Sequence, residues 1–488
     1  MAKVCMFVTN RVTGDPRVRR EAAALTAAGH EVVVLGVAET ARDAPYEEQA
    51  GVTVRRAARP TVVRRVTLPR VSPRAWLDAA RDGALRWLSA SHPEAYGALR
   101  DAYVNVRHGG ALPPDILAAA AANAAAAAAE LDPARAPTPA APVVAGSERA
   151  PTRRERLEQD LDALGAILLL NVRFARLAVA ERADVYHAHD LDTLLAGALA
   201  SRLTGARLVY DFHELYTHQH PEGVKSALWR GYYDLLERRL IGEADALITV
   251  NDSLARWNAR AYGAPRALTL LNVPALQAPP PPTLRPGEPR TVLYHGGYSP
   301  HRGLETLVES ARHLRGARLV MRGVGAFERD LRALVARLGV GDRVTFAPPV
   351  GMTELVRSAQ DADVGVVPYL PVCLNNYYSL PNKLFEYLMA GLAVVATDAP
   401  ELRRVIDAHE VGAVYDPRDP RSLASAINGL VADDDRLQAA RRAAVRAATT
   451  TFNWEAEQVK LLGLYDDLLS RPRRGSGSAR AGGRPLPA

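Results

Sequence analysis

Short apolar, β-branched runs recur along this chain, and most are followed by a segment whose apolar residues repeat at helical spacing. In the first half the runs are Val4–Thr9, Glu31–Gly36, Asp184–His189, Arg207–Phe212 and Ala246–Val250. The helical segments between them are Pro16–Ala28, closed by Gly29, then Thr193–Leu203 and Lys225–Gly242. Strands this continuously apolar leave no polar face for water, so they predict a parallel sheet covered by helices on both sides. The alternation restarts with Thr291–His295, Arg302–Leu314, Arg318–Arg322, Glu328–Leu338 and Val344–Ala347. It continues through Thr353–Asp361, Val364–Pro368, Asn382–Ala390 and Val394–Thr397. The expected fold class is therefore α/β, with two doubly wound, Rossmann-like domains of similar plan.

Six prolines within Pro279–Pro289 interrupt the pattern and mark a stiff linker. The expected division is a first domain over 1–275, a linker over 276–290 and a second domain over 291–450. A terminal helix over 451–470 and a basic tail over 471–488 complete it. An insertion of about 59–152 splits the first domain. Its nearly pure alanine stretch Leu117–Glu130 favours helix, whereas the Pro/Ala-rich Asp132–Pro151 is a poor core former and is expected to be disordered.

With 488 residues the chain exceeds one ordinary core, and 48% hydrophobic with 24% charged residues is normal for a globular protein. Two cysteines, Cys5 and Cys373, are too few and too distant for a disulfide framework or a thiolate zinc site. Met1-Ala2-Lys3 runs directly into the first strand, which suggests no secretory leader and a cytoplasmic location. The longest apolar helical stretch, Leu164–Val179, is interrupted by Asn171, Arg173 and Arg176 and falls short of the roughly 20 residues a bilayer crossing needs, so no transmembrane span is expected.

The net charge of +7 is concentrated in two places. Eleven arginines and four acidic residues lie between Arg55 and Arg107, and the tail from Arg471 holds five arginines and no acid. Within Pro73–His92, the residues Trp76, Leu77, Ala80, Ala84, Trp87 and Leu88 share one helical face flanked by Arg74 and Arg81. That face suits either packing on the first domain or lying in an anionic membrane surface, peripheral on the inner face of the membrane. No nucleic-acid partner is expected.

Doubly wound sheets bind ligands outside the carboxyl ends of their strands. After the first strand, Thr9–Pro16 holds only Gly14, against the three glycines of a dinucleotide fingerprint, which disfavours a tight NAD site. Gly14 allows close backbone approach, and Asp15 with Pro16 opens the next helix, as they would in any strand-to-helix turn. His187 and His189 share a strand face. At the strand's end His189 suits a hydrogen bond to a ligand hydroxyl, or else a satisfied structural role. Asp190-Leu191-Asp192 has the form of a metal-binding Asp-x-Asp, but without a clear third ligand no metal site is expected.

In the second half, Tyr377–Gly391 holds the strongest local signal. Ser379 and Pro381 stand where a helix wants a cap and an early proline. The free N–H groups of that first turn suit a diphosphate, Lys383 adds a cation, and Glu386 presents a carboxylate one turn on. The loop His295–Gly303 contributes Gly296, Gly297 and Arg302, and a cation at a helix start is unfavourable unless an anion sits beside it.

Taken with these residues, the chain resembles the retaining glycosyltransferases of family 4, which have the GT-B fold. The main match is Tyr378–Glu401, Y-S-L-P-N-K-L-F-E-Y-L-M-A-G-L-A-V-V-A-T-D-A-P-E. Asp15–Glu21, Asp184–Asp190, Tyr210–Glu214 and Gly303–Leu307 support it, and Phe452-Asn453-Trp454 resembles the start of the family's terminal helix. The resemblance implies two domains facing each other across a cleft, with a UDP- or GDP-sugar on the second and a glycan or lipid-linked acceptor on the first. It places Glu386 on the donor ribose, and Arg302 with Gly296, Gly297, Ser379 and Lys383 around the diphosphate. His189 falls beside the transferred sugar, and Gly14, Asp15 and His213 on the acceptor side. It implies hexosyl transfer with retention, without cofactor or metal, in which the protein positions the reactants and stabilises charge. Two positions depart from the family pattern: Tyr378 stands where a first glutamate is common, and Gly297 where an arginine is common. A nucleotide-sugar epimerase and a catalytically inert GT-B-like scaffold are the alternatives.

Overall fold

The computed structural model describes residues 1–40, 42–58, 89–91, 93, 152–220, 224–278 and 288–472. Nearly all of the amphipathic segment Pro73–His92, nearly all of the insertion, residues 279–287 of the linker and the tail beyond residue 472 lie outside the described residues.

The first sheet contains β1 (Lys3–Phe7), β2 (Glu31–Ala38), β3 (Tyr46–Gln49), β4 (Val52–Ala58), β5 (Val185–His189), β6 (Arg207–Phe212), β7 (Ala246–Thr249) and β8 (Leu268–Thr269). Their order is β3-β4-β2-β1-β5-β6-β7-β8. Every pair is parallel except the edge pair β3 and β4. That hairpin escaped the sequence pattern because Tyr46–Gln49 has no apolar alternation. The second sheet contains β9 (Arg290–His295), β10 (Ala317–Arg322), β11 (Val344–Ala347), β12 (Val364–Val367), β13 (Ala393–Thr397) and β14 (Gly412–Tyr415). It is wholly parallel, in the order β11-β10-β9-β12-β13-β14. Strand order reverses between β1 and β5 and again between β9 and β12, and each reversal opens a crevice at the carboxyl ends.

Helices cover both sheets. Pro16–Ala27 starts at Asp15, whose carboxylate accepts from Arg17 N and Val18 N, and Pro16 occupies the first helical position. Arg153–Glu181 opens with a capping box between Thr152 and Glu155. By length and composition this helix would suffice to cross a membrane. In the fold its Leu164, Leu170, Phe174 and Ala178 lie in the first domain's core with Phe7, Tyr186 and Leu208. The terminal helix Trp454–Ser470 returns to the first domain. Its Trp454, Leu461, Tyr465 and Leu468 share a core with Val4, Met6, Val18 and Leu25, and a fully buried side chain of this kind contributes roughly 1.5–3 kcal/mol.

The carboxyl ends of the two sheets meet across a cleft. Leu215 N, beyond β6, donates to Asn375 Oδ1 at 2.8 Å, and Asn251 Nδ2, beyond β7, donates to Tyr378 O at 2.9 Å. Ser253 N donates to Glu401 Oε1 at 2.9 Å. Leu374, Tyr377 and Tyr378 are buried in the first domain's own core, so the second domain docks by an apolar plug. Tyr378, at the position where the family often has a glutamate, is part of that plug.

Candidate functional site

On the first side of the cleft the chemistry centres on a buried cation. Arg17, on the helix after β1, donates from Nε and Nη2 to the two oxygens of Asp211 at 2.8 and 2.9 Å, and from Nη1 to Leu270 O at 2.7 Å. Its Nε also lies 3.0 Å from Glu21 Oε1, one turn along the same helix. Burial alone would raise the Asp211 carboxyl, but Arg17 and His213 hold it well below the usual carboxylate range. Glu21 lies deeper in charge conflict, and burial pushes it up to about 7.

His187 and His189 stack at 4.3 Å beside this pair, and His189 Nδ1 lies 3.2 Å from Asp211 Oδ2. One atom each from Glu21, His187, His189 and Asp211 falls within 4.8 Å of the others, a donor set of the type that holds a divalent ion. The Arg17 guanidinium already lies among these carboxylates and supplies the positive charge a metal would bring. Asp190 and Asp192 do not converge. Asp190 Oδ2 faces His213 Nδ1 at 3.1 Å, whereas Asp192 Oδ2 accepts from Thr9 Oγ1 at 2.6 Å.

His189, expected at the cleft, has a fully buried side chain beneath these groups. The imidazole that reaches the surface is His213, 18% exposed. It is clamped between Asp190 at 3.1 Å and Asp211, also at 3.1 Å from its Nε2. Burial would lower its pKa, but the two carboxylates raise it well above the usual value, so it stands as an imidazolium. Asp190 carries φ 65 and ψ 160, a backbone strained for any residue but glycine, and strain of this kind gathers at functional sites. Val12, in the loop after β1, has φ 69, an outlier for a β-branched residue. Gly14 has open space around it. The Asp15 carboxylate is spent on the helix cap and on Asn10 Nδ2 at 2.8 Å, which leaves it little capacity for an acceptor.

On the second side, the loops after β9 and β12 come together. Gly296 adopts φ 133 and a side chain there would meet Lys383 Nζ at 3.1 Å, so the backbone lies against the ammonium. The Tyr294 hydroxyl donates to Gly297 O at 3.0 Å. Lys383, on the helix Asn382–Met389, lies with Nζ 4.5 Å from the Tyr294 ring centre and 4.9 Å from that of Tyr369. Burial, reinforced by Arg302, lowers its pKa to about 7. The Arg302 guanidinium stacks 4.4 Å from the Tyr369 ring centre. Among the described residues, neither cation has a carboxylate within 4.0 Å.

Glu386 is partly exposed, and its Oε2 is 2.7 Å from His295 Nε2. Ser379 does not cap the helix, contrary to expectation. Its Oγ donates to Asn376 O at 2.9 Å, and the capping position is Pro381, which has no side chain to offer the free N–H groups. Leu384 N closes onto Pro381 O at 3.0 Å, which leaves the leading N–H groups, those of Asn382 and Lys383, available to an anion.

Inspection of the sequence did not single out Arg17, Glu21, Asp211, His295 and Tyr369. A signal existed for the first three. Arg17 and Glu21 stand four apart on a helix with a buried face, and Asp211 interrupts an apolar strand, where a carboxylate requires a buried partner. No comparable signal marked His295 and Tyr369, whose partners lie 91 residues away and on separate loops.

Known proteins place this arrangement. The model of the group 1 glycosyl transferases matches residues 289–433, and that of glycosyltransferase family 4 matches residues 133–271. A D-inositol 3-phosphate glycosyltransferase of Acidothermus cellulolyticus is 29% identical over 322 residues, 59% of this chain and 68% of that protein. A GDP-mannose-dependent α-(1-6)-phosphatidylinositol monomannoside mannosyltransferase of Mycobacterium tuberculosis is 29% identical over 303 residues, 56% of this chain and 75% of that protein. Among solved structures, sucrose-phosphate synthase of Thermosynechococcus elongatus superposes with a TM-score of 0.64 at 17% identity, covering 96% of this chain and 99% of that one. The Anabaena protein HepE in complex with UDP-glucose superposes with a TM-score of 0.59 at 14% identity, covering 96% and 100%. Two family models in consecutive halves, on two facing parallel sheets closed by a returning terminal helix, establish that the chain belongs to the family 4 glycosyltransferases and has the GT-B fold.

Proposed function

We propose that this glycosyltransferase moves a hexosyl group from a UDP- or GDP-linked sugar to an acceptor hydroxyl, with retention of configuration and without a metal ion. The observation that carries this reading is the pair Arg302 and Lys383. Two cations share one crevice, no carboxylate lies within 4.0 Å of either among the described residues, and the open helix start at Pro381 adds free N–H groups. An uncompensated pair of this kind calls for an anion carrying at least two charges, and the diphosphate of a nucleotide sugar supplies them. Glu386, partly exposed beside it, accepts hydrogen bonds from the ribose hydroxyls. The relatives named for inositol phosphate and GDP-mannose chemistry support a nucleoside-diphosphate donor and a polyol or lipid-linked acceptor.

In the reaction the bond from the anomeric carbon to the phosphate oxygen breaks. The acceptor oxygen bonds to that carbon on the same face, and the acceptor proton passes to the leaving phosphate. Arg302 and Lys383 stabilise the charge that develops on the phosphate, in a site screened from water. The His213 imidazolium, with both ring nitrogens turned to Asp190 and Asp211, fixes the wall of the first crevice against which the transferred sugar and the acceptor are oriented. The Arg17 node beneath holds Asp211 in place. His189 acts through the same node, behind His213.

A transfer assay with UDP- and GDP-sugars, run with and without EDTA, tests the proposal, with the product anomer read by NMR. Turnover that persists in EDTA and a retained anomer are expected. Loss of turnover in EDTA with recovery on Mg²⁺ or Mn²⁺ would overturn the metal-free mechanism, and an inverted product would overturn retention. Failure of every nucleotide sugar to bind would overturn the donor assignment.

A further inference from the structure

Resting on that donor assignment, we propose that Tyr369 is a positioning residue for the donor diphosphate, its ring holding Arg302 and Lys383 side by side as one clamp. Tyr369 follows β12, whereas Arg302 belongs to the loop after β9 and Lys383 to the helix after Pro381. Three separate pieces of chain therefore meet at one aromatic ring. Arg302 lies 4.4 Å and Lys383 4.9 Å from its centre. Two cations brought this close, with no carboxylate within 4.0 Å of either among the described residues, repel each other, and the electron-rich face of an aromatic ring is the group that attracts both. Tyr294 assists Lys383 alone, with its ring centre at 4.5 Å and its hydroxyl at 3.5 Å from Nζ.

The backbone on either side is built to hold this contact. Leu370 N donates to His301 O at 3.2 Å, tying the loop after β12 to the loop after β9. Gly303 adopts φ 68, and a side chain at that position would come 1.8 Å from Pro368 O. His301 itself carries φ 65. The residues flanking Arg302 are thus bent and pressed against the residues flanking Tyr369, in a packing that only glycine at 303 allows. The result is a fixed separation between the two cations before any ligand arrives, which lowers the ordering cost of binding a diphosphate.

The groups facing Lys383 are Tyr294 on β9, Arg302 and Tyr369 on the two loops, and Glu386 on its own helix. Measurements at about pH 5.5 keep nearly all of the ammonium charged, since burial and Arg302 lower its pKa to about 7.

The test is titration calorimetry of the full chain with UDP, GDP, uridine, guanosine and inorganic pyrophosphate, on wild type, Tyr369→Phe and Tyr369→Leu. The Phe variant keeps the ring and should bind each ligand within about twofold of wild type. The Leu variant should lose about tenfold in affinity for the preferred nucleoside diphosphate and for pyrophosphate, while nucleoside binding stays unchanged. Equal losses for nucleoside and nucleoside diphosphate in Tyr369→Leu would show a general packing role and overturn the proposal, as would a Phe variant as impaired as the Leu variant. If wild type binds nucleoside diphosphates no better than nucleosides, the donor assignment itself fails. If wild type discriminates and the Leu variant discriminates equally well, the Tyr369 proposal fails alone.

Discussion

The two crevices of this molecule occupy the same place in the same fold and use charge in opposite ways. In the first, Arg17 is matched by Asp211 and Glu21 at 2.8–3.0 Å, and His213 by Asp190 and Asp211 at 3.1 Å. In the second, Arg302 and Lys383 lie against aromatic rings and a serine hydroxyl, with no carboxylate within 4.0 Å of either among the described residues. A cation that the fold has already neutralised serves to hold other groups in place, whereas one left uncompensated is reserved for a ligand. Under the proposed function, the contrast separates residues that shape the cleft from residues that would bind in it, although both kinds sit at strand ends.

The contrast breaks most sharply at Arg17. Replacing it with Met leaves Asp211 and Glu21 buried without their cation, and breaking a buried pair in this way costs about 3–5 kcal/mol. The expected result is a large drop in the first unfolding transition by chemical denaturation. A change below about 1 kcal/mol would mean that Arg17 is not the node of the first crevice.

Next in size is Glu386→Gln. A hydrogen bond to a charged group contributes about 1.5–3 kcal/mol, so donor kcat/KM should fall about ten- to a hundredfold with the melting curve unchanged. A variant that melts early would place Glu386 with the structural groups of the first crevice, through its contact with His295.

Lys383 sharpens the comparison through pH. Burial and Arg302 lower its pKa to about 7 in the free protein, and an arriving diphosphate favours the charged form. Donor binding then takes up a proton. Affinity for a nucleotide sugar should fall as pH rises above about 7, by at most about tenfold per unit, and Lys383→Met should remove that slope. A slope that survives the substitution would assign the proton elsewhere.

The smallest effect is expected at His213. Its folded pKa is raised above the ordinary 6.5 by Asp190 and Asp211, so its stabilising contribution is fully present below 6.5. That contribution declines as pH rises from there through the folded value. Wild type should therefore exceed His213→Gln in stability by most at acidic pH, with a gap that narrows as pH increases, measured by urea unfolding across the range. A gap that widens with pH would mean that the imidazole is not held charged.

Much of the cleft was legible before folding. Glu386, Arg302 and Lys383 were marked by a helix start and by a cation placed where the dipole disfavours it, both of which are local rules. Ser379 was misassigned by the same local logic. Its hydroxyl satisfies Asn376 O instead, because the short helix Leu374–Tyr377 just before it leaves its own carbonyl to be closed. Among the two histidines on β5, alternation placed His189 on the correct face but could not show that His213, from the neighbouring strand's end, covers it. The role of Tyr378 was likewise hidden, since its burial depends on the other domain's surface.

The sequence by itself determined the two largely parallel sheets, the alternation of strand and helix, and the turns at the strands' carboxyl ends. Periodicity, capping and turn chemistry act over a few residues, and each is complete within its own segment. Only the tertiary structure decided which charges neutralise one another and which stay free. Arg17 meets Asp211 across 194 residues, and the Arg302 and Lys383 pair converges on Tyr369 from three segments. Electrostatic pairing falls off with distance in space and is indifferent to distance along the chain, so it follows from the packing of the sheets and their loops and from no local pattern.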